Sequence, residues 1–110
     1  MVYAKTDLFT AELQEYAEYF KALAHPARIQ ILKYLAETKT CITGDISEEL
    51  PLSRTTVNQH LAELKKVGLI TGHVSGVKTN YCLNPAAVSK LTKLTETLMK
   101  DIQCTDKTVC

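Results

Sequence analysis

Apolar residues recur at helical spacing in five stretches of the chain and alternate in one. Leu13, Tyr16, Ala17, Phe20 and Leu23 predict an amphipathic helix over residues ~9–23. In "AHPARIQILKYLAE", Pro26 suits the first position of a second helix, with Ile29, Leu32, Leu35 and Ala36 as its buried stripe. "TGDISEELP" reads as a short third helix. Ile42, Ile46 and Leu50 stand four apart, Asp45 and Glu48 form a capping box, and Pro51 stops it. The clearest helix is "LSRTTVNQHLAELKKVG". Ser53 is its N-cap, Val57, Leu61, Leu64 and Val67 share one face, and Gly68 ends it.

The alternating stretch is "LITGHVSGVKTNYCL". A two-residue turn at Ser75-Gly76 would place Val74 opposite Val77, Gly72 opposite Thr79 and Ile70 opposite Tyr81 on a mostly apolar face. Thr71, His73, Lys78, Asn80 and Cys82 would then line a polar face. Asn84-Pro85 opens a fifth helix, along which Val88, Leu91, Leu94, Leu98 and Ile102 form one stripe. The expected architecture is mainly α with a small β-hairpin: five helices plus a two-stranded wing. Residues 1–103 form one domain and residues 104–110 a cysteine-containing tail. The first and last helices carry more apolar surface than a small domain needs. Leu13, Phe20, Leu91, Leu94, Leu98 and Ile102 are therefore expected at a dimer interface, the alternative being that they only cover the core.

Composition narrows the class. A chain of 110 residues, 45% hydrophobic and 23% charged, is long enough for one globular domain. The opening residues lack the charged-then-apolar order of a signal peptide, and no apolar run approaches the ~20 residues of a membrane span. A cytoplasmic location follows, with four cysteines expected as reduced thiols. The net charge of +1 hides an asymmetry. Residues 53–81 carry Arg54, Lys65, Lys66 and Lys78 against Glu63 alone, whereas residues 1–52 hold 5 basic and 8 acidic side chains. One basic stretch on a near-neutral chain is compatible with nucleic-acid contact. No nucleotide-binding glycine loop, Gly-x-Ser-x-Gly or evident carboxylate pair points to an enzyme.

The charge gains meaning from the layout around it. Two short helices joined by "LPL", the second opening on Ser and small polar residues, have the form of a helix-turn-helix. The second helix of that motif enters the major groove. With Val57, Leu61 and Leu64 inward, Arg54, Thr55, Asn58, Gln59 and Ala62 face out. Arg can bond guanine bidentately, Asn or Gln can bond adenine, and Thr can meet the thymine methyl. The hairpin that follows, with His73, Ser75 and Lys78 on its polar face, has the form of a wing reaching backbone phosphates or the minor groove.

"FKALAHPARIQILKYLAE", "LSRTTVNQHLAELKKVGLI" and "YCLNPAAV" resemble the arsenic-repressor (ArsR-type) family of winged-helix metalloregulators, over residues ~19–92. The resemblance implies a homodimeric repressor that binds double-stranded operator DNA and is released by an effector. It implies that Ser53, Arg54, Thr55, Thr56, Asn58, Gln59 and His60 face DNA, with His73 and Lys78 from the wing. The chain departs from the pattern at Pro51, where the family often has a glycine.

The effector sites of that family transfer unevenly. A zinc site built from acidic and His ligands on the last helix has no counterpart, because the three histidines are His25, His60 and His73. No cofactor is expected to be required. A paired-thiol site in the third helix is not intact either: "CITGDI" keeps only Cys41, one residue early. Cys104 and Cys110 remain, and Cys-x5-Cys after the last helix resembles the thiol site of some arsenic-responsive members. Thiolates suit a soft ion such as trivalent arsenic or an organoarsenical. Cys41 is the more plausible third ligand, since Cys82 would lie ~25 Å from Cys104 across the last helix. The alternatives are a dithiol redox or persulfide switch, or a winged-helix module with no effector site.

Overall fold

The computed structural model describes residues 8–38, 42–43, 50–76 and 78–104. Four helices and three strands are present among them: α1 (Ala11–Leu23), α2 (Pro26–Thr38), β1 (Ile42–Thr43), α3 (Arg54–Lys66), β2 (Ile70–Ser75), β3 (Lys78–Leu83) and α4 (Pro85–Ile102). The strands form one antiparallel sheet in the order β1-β3-β2.

Each helix starts where a side chain can take up its first unpaired N–H groups. Thr10 caps α1 by accepting from the Leu13 N–H at 3.2 Å. Asn84 caps α4 by accepting from the Ala87 N–H at 3.4 Å, and Pro85 follows it. After α3 the chain turns at Gly68, whose φ of +81° needs a residue without Cβ. The Gly68 and Leu69 N–H groups there donate back to the carbonyls of Lys65 and Leu64.

The core lies where α2, α3 and the start of β2 meet. Ile31, Val57, Leu64, Leu69 and Ile70 are its most completely enclosed side chains, with Tyr19 of α1, Leu35 and Leu61 around them. The Asn84 N–H donates to the Leu69 carbonyl at 2.9 Å, so the base of the wing also fixes where α4 begins.

Three expectations change. The third helix, expected over 43–51, falls mostly on residues 44–49, outside the described residues. Ile42 and Thr43 are not helical but pair with Tyr81 and Asn80 as strand β1. The β-branched side chains of that dipeptide favour a pleated backbone.

The hairpin register also differs from the expected one. Gly72 pairs with Tyr81, Val74 with Thr79 and Ser75 with Lys78. Gly76 opens the loop at φ +64° instead of closing it. Both favoured two-residue hairpin turns need positive φ at their first position, where Ser75 would be strained. The sum of paired positions moves by two, so the faces are unchanged.

In α1 and α2 the buried face is turned from the expected stripe. Tyr16, Tyr19 and Ala22 are buried in α1, while Leu13 is 51% exposed. Ala27, Ile31 and Leu35 are buried in α2, while Ile29 is 48% exposed. Both helices carry apolar residues on more than one face, and periodicity alone does not rank them.

Candidate nucleic-acid interface

α3 is positioned by its inner face and its cap. Val57, Leu61 and Leu64 insert into the core. The Ser53 hydroxyl accepts from the Thr56 N–H at 3.2 Å, and the two hydroxyls of that pair stand 3.0 Å apart. Both side chains are thereby committed to the helix start. The cap fixes the direction in which the first turn points, which is the turn that meets base edges in this class of motif.

The outer face then follows from helix geometry. At ~100° per residue, Arg54, Asn58, Ala62, Thr55 and Gln59 fall within an arc of about 140°. All five are exposed; Thr55, Gln59 and Ala62 lie opposite Val57, Leu61 and Leu64, while Arg54 and Asn58 stand nearer the edge of the core face. This surface offers a guanidinium, two amides, a hydroxyl and a methyl group, which is the chemistry for reading base edges. Lys65 and Lys66 add positive charge at the far end, although Lys66 also meets Glu63 at 3.5 Å.

His60 is a correction. Expected to face DNA, it is buried at 7% exposure. Its Nδ1 accepts from Arg28 Nε at 3.1 Å, and its ring centroid lies 4.2 Å from that of His25. Burial, and then the neighbouring His25 and Arg28, push its pKa below the ordinary 6.5. Its place was legible in the spacing. Three residues after Val57 and four before Leu64, it stands on the inner face.

The wing runs from the end of α3. His73 is exposed on the face of β2 expected to be polar, with Nε2 3.4 Å from the Thr71 hydroxyl. Lys78 pairs with Ser75 through the backbone beside the loop. Val74, on the other face, is 79% exposed because the hairpin tip extends past the core.

An ion pair links α1 and α4. Lys90 donates to Glu15 at 3.0 Å, and this partner raises the lysine's pKa. Tyr16 of α1 has its phenol pKa raised by burial first, then by Glu12 and by Asp101 of α4. None of α4 is buried: Leu91, Leu94 and Leu98 are half-buried, and Ile102 is 65% exposed. With Leu13 at 51% exposure and Phe20 half-buried, apolar surface on both helices stays uncovered in the single chain.

The cysteines depart from expectation. Cys82 in β3 and Cys104, two residues beyond α4, are both disulfide-bonded rather than reduced thiols. Cys104 is exposed. Cys41 and Cys110, the other two expected ligands, lie outside the described residues.

A capped, core-anchored helix with a polar outer face, followed directly by a hairpin, defines a winged helix-turn-helix. Comparison with known proteins makes this specific. Residues 25–71 match the model of the bacterial regulatory protein arsR family. The chain is 35% identical over 82 residues to an uncharacterized HTH-type transcriptional regulator of Methanocaldococcus jannaschii, spanning 74% of this chain and 92% of that one. It is 34% identical over 80 residues to the arsenical resistance operon repressor of Bacillus subtilis, spanning 72% of this chain and 75% of that one. Its fold matches that of an ArsR-like transcriptional regulator from a Rhodococcus species with a TM-score of 0.70, at 25% identity over 84% of this chain and 86% of that one.

The chain belongs to the arsR family. It is a DNA-binding transcriptional regulator and not an enzyme. Among the described residues, no helix is long and apolar enough to cross a membrane.

Proposed function

We propose that this regulator is a homodimeric, cytoplasmic repressor that binds a two-fold-symmetric operator and is released when a thiol-directed effector engages its C-terminal cysteines. The carrying observation is the exposed arc of Arg54, Thr55, Asn58 and Gln59 on a helix fixed by its cap and core face. Exposed apolar surface on α1 and α4, including Leu13 and Ile102, supports a dimer built along those helices. The wing, through His73 and Lys78, supplies backbone contacts on either side.

The effector is a trivalent arsenical held by Cys104 and Cys110, with Cys41 as a third thiolate for inorganic arsenite. Cys104 follows α4 directly, so a ligand there acts on the helix that orients the two subunits. A coupling of roughly 1–3 kcal/mol, about 5- to 150-fold in affinity, is enough for release. A second reading, a dithiol redox switch, is favoured by one observation: Cys104 is already oxidised in this structure. The two readings predict opposite responses to reductant. Thiol capture needs the reduced form, whereas a redox switch is thrown by oxidation alone.

The test is fluorescence anisotropy of the reduced protein on duplex from upstream of its own gene. Arsenite and phenylarsenite are titrated, and then an oxidant. Release by an arsenical, lost when Cys104→Ser and Cys110→Ser are combined, is the expected result. Release by the oxidant alone would replace the arsenical with the redox reading. Undiminished binding under all three would remove the effector site from the tail.

A further inference from the structure

The polar joint beneath α3 is unused by the function proposed above. His25 ends the connection between α1 and α2, with its Nδ1 accepting from the Ala27 N–H at 3.0 Å. Arg28, one turn into α2, makes three bonds to two other helices. Its Nη1 donates to the carbonyls of Lys21 at 3.1 Å and Ala22 at 3.3 Å, at the end of α1. Its Nε donates to His60 Nδ1 at 3.1 Å, on the inner face of α3. One guanidinium therefore links α1, α2 and α3 at a single point.

The protonation states follow from those bonds. Because His60 Nδ1 accepts from Arg28, it carries no proton, and the neutral ring holds its hydrogen on Nε2. That Nε2 is buried and, among the described residues, has no hydrogen-bond partner. An unsatisfied buried donor is costly and persists only where the rest of the packing holds it. A second proton would have to enter at Nδ1, where it would meet the Arg28 N–H head-on and place a charge beside the guanidinium. The links to α1 and α2 would then be broken from the α3 side.

The charged and titratable groups among the described residues give a protonated ring no compensation. His25 and Arg28 are the groups acting on it from the α1–α2 side. α1 contributes backbone carbonyls through Arg28. On α3 itself, Glu63 is engaged with Lys66. On β2, His73 is an exposed side chain beside Thr71. Among the described residues, no carboxylate contributes to holding a proton on His60.

We propose that Arg28 and His60 are positioning residues for the recognition helix, and that operator binding requires their joint in its neutral-histidine form. This rests on the reading of α3 as the DNA-contacting helix. DNA selects α3 seated against α1 and α2; a protonated His60 is stable only when α3 shifts and exposes it. The sign is set by the lowered pKa. The joint is intact above about 6.5, the ordinary histidine value, and is lost as pH falls below it. Exposed histidines near phosphates act the other way, since their protonation strengthens DNA binding.

The test compares operator affinity from pH 8 to pH 5.5 for the wild-type protein, His60→Asn and Arg28→Met, with a His73→Ala background to remove the wing's titration. Asn can present an acceptor where Nδ1 stood but does not titrate. The wild-type protein is expected to lose affinity on the order of tenfold across the range, a size typical of linked equilibria. His60→Asn should bind at pH 8 within about threefold of wild type and show a flat profile. Arg28→Met should bind weakly throughout, also without a pH slope. An identical slope in wild type and His60→Asn would overturn the inference. If the wild-type protein binds no duplex even at pH 8, the DNA-binding reading itself fails.

Should His60→Asn not fold, NMR titration of the wild-type His60 ring decides. A pKa below 6.5 that coincides with loss of operator affinity supports the joint, and one at or above 6.5 overturns it.

Discussion

Leu64→Ala is expected to lower the stability of the domain by about 3–4 kcal/mol, the range for a large-to-small change at a site that cannot collapse. Leu64 is 0% exposed and belongs to the core cluster with Ile31, Leu61, Leu69 and Ile70. It joins the recognition helix to α2 and to the base of the wing, so its loss leaves a cavity between three elements. For a domain of this size each kcal/mol shifts Tm by roughly 4–8 °C, so a fall well above 10 °C is expected in a thermal melt. Ala62→Ser, two residues earlier on the exposed face, should stay within about 0.5 kcal/mol of the parent. Both are compared at one protein concentration, because the proposed dimerisation would make Tm depend on it. Equal melts for the two variants would mean that α3 is not anchored as described.

The second large effect concerns specificity. Gln59→Ala should cost about 1–3 kcal/mol on the operator while changing non-specific affinity little, and should relax the preference at one base position in each half-site. Lys78→Ala should weaken all sequences alike and reduce the salt slope by about two, roughly one for each subunit of the dimer. The difference has a structural origin. Gln59 stands on the exposed arc of α3, among groups that match base edges, whereas Lys78 adjoins the wing loop. Competition binding on a panel of single-base operator variants separates the two patterns. If both substitutions lower affinity uniformly, Gln59 does not read a base.

α3 was legible in the sequence nearly residue by residue. Ser53, Val57, Leu61, Leu64 and Gly68 each sit where cap, spacing and stop signals put them, because α3 has one apolar stripe and one polar face. α1 and α2 were less legible. Ile29 and Ile31, or Leu13 and Tyr16, compete for the buried face, and only tertiary packing decides which of them turns inward. The hairpin faces were readable from alternation, but its register depended on which residue took positive φ, and alternation is blind to a shift of this kind. Strand β1 escaped notice because two residues show no period; it exists through pairing with β3.

At the candidate site, the outward side chains were readable while the joint beneath them was not. Arg28 and His60 are 32 positions apart, and nothing local announces a bond between them. The oxidised state of Cys82 and Cys104 was also invisible to composition, which assigns thiols by compartment.

Reading of duplex DNA by the outer face of α3 and the wing can be measured directly. The most direct measurement is anisotropy of a labelled two-fold-symmetric duplex from upstream of the protein's own gene, against a scrambled duplex, at several salt concentrations. Binding of the symmetric site is expected to be roughly 10³-fold or more tighter than that of the scrambled one, with affinity falling steeply as salt rises. Equal and weak binding of both duplexes, insensitive to salt, would contradict it.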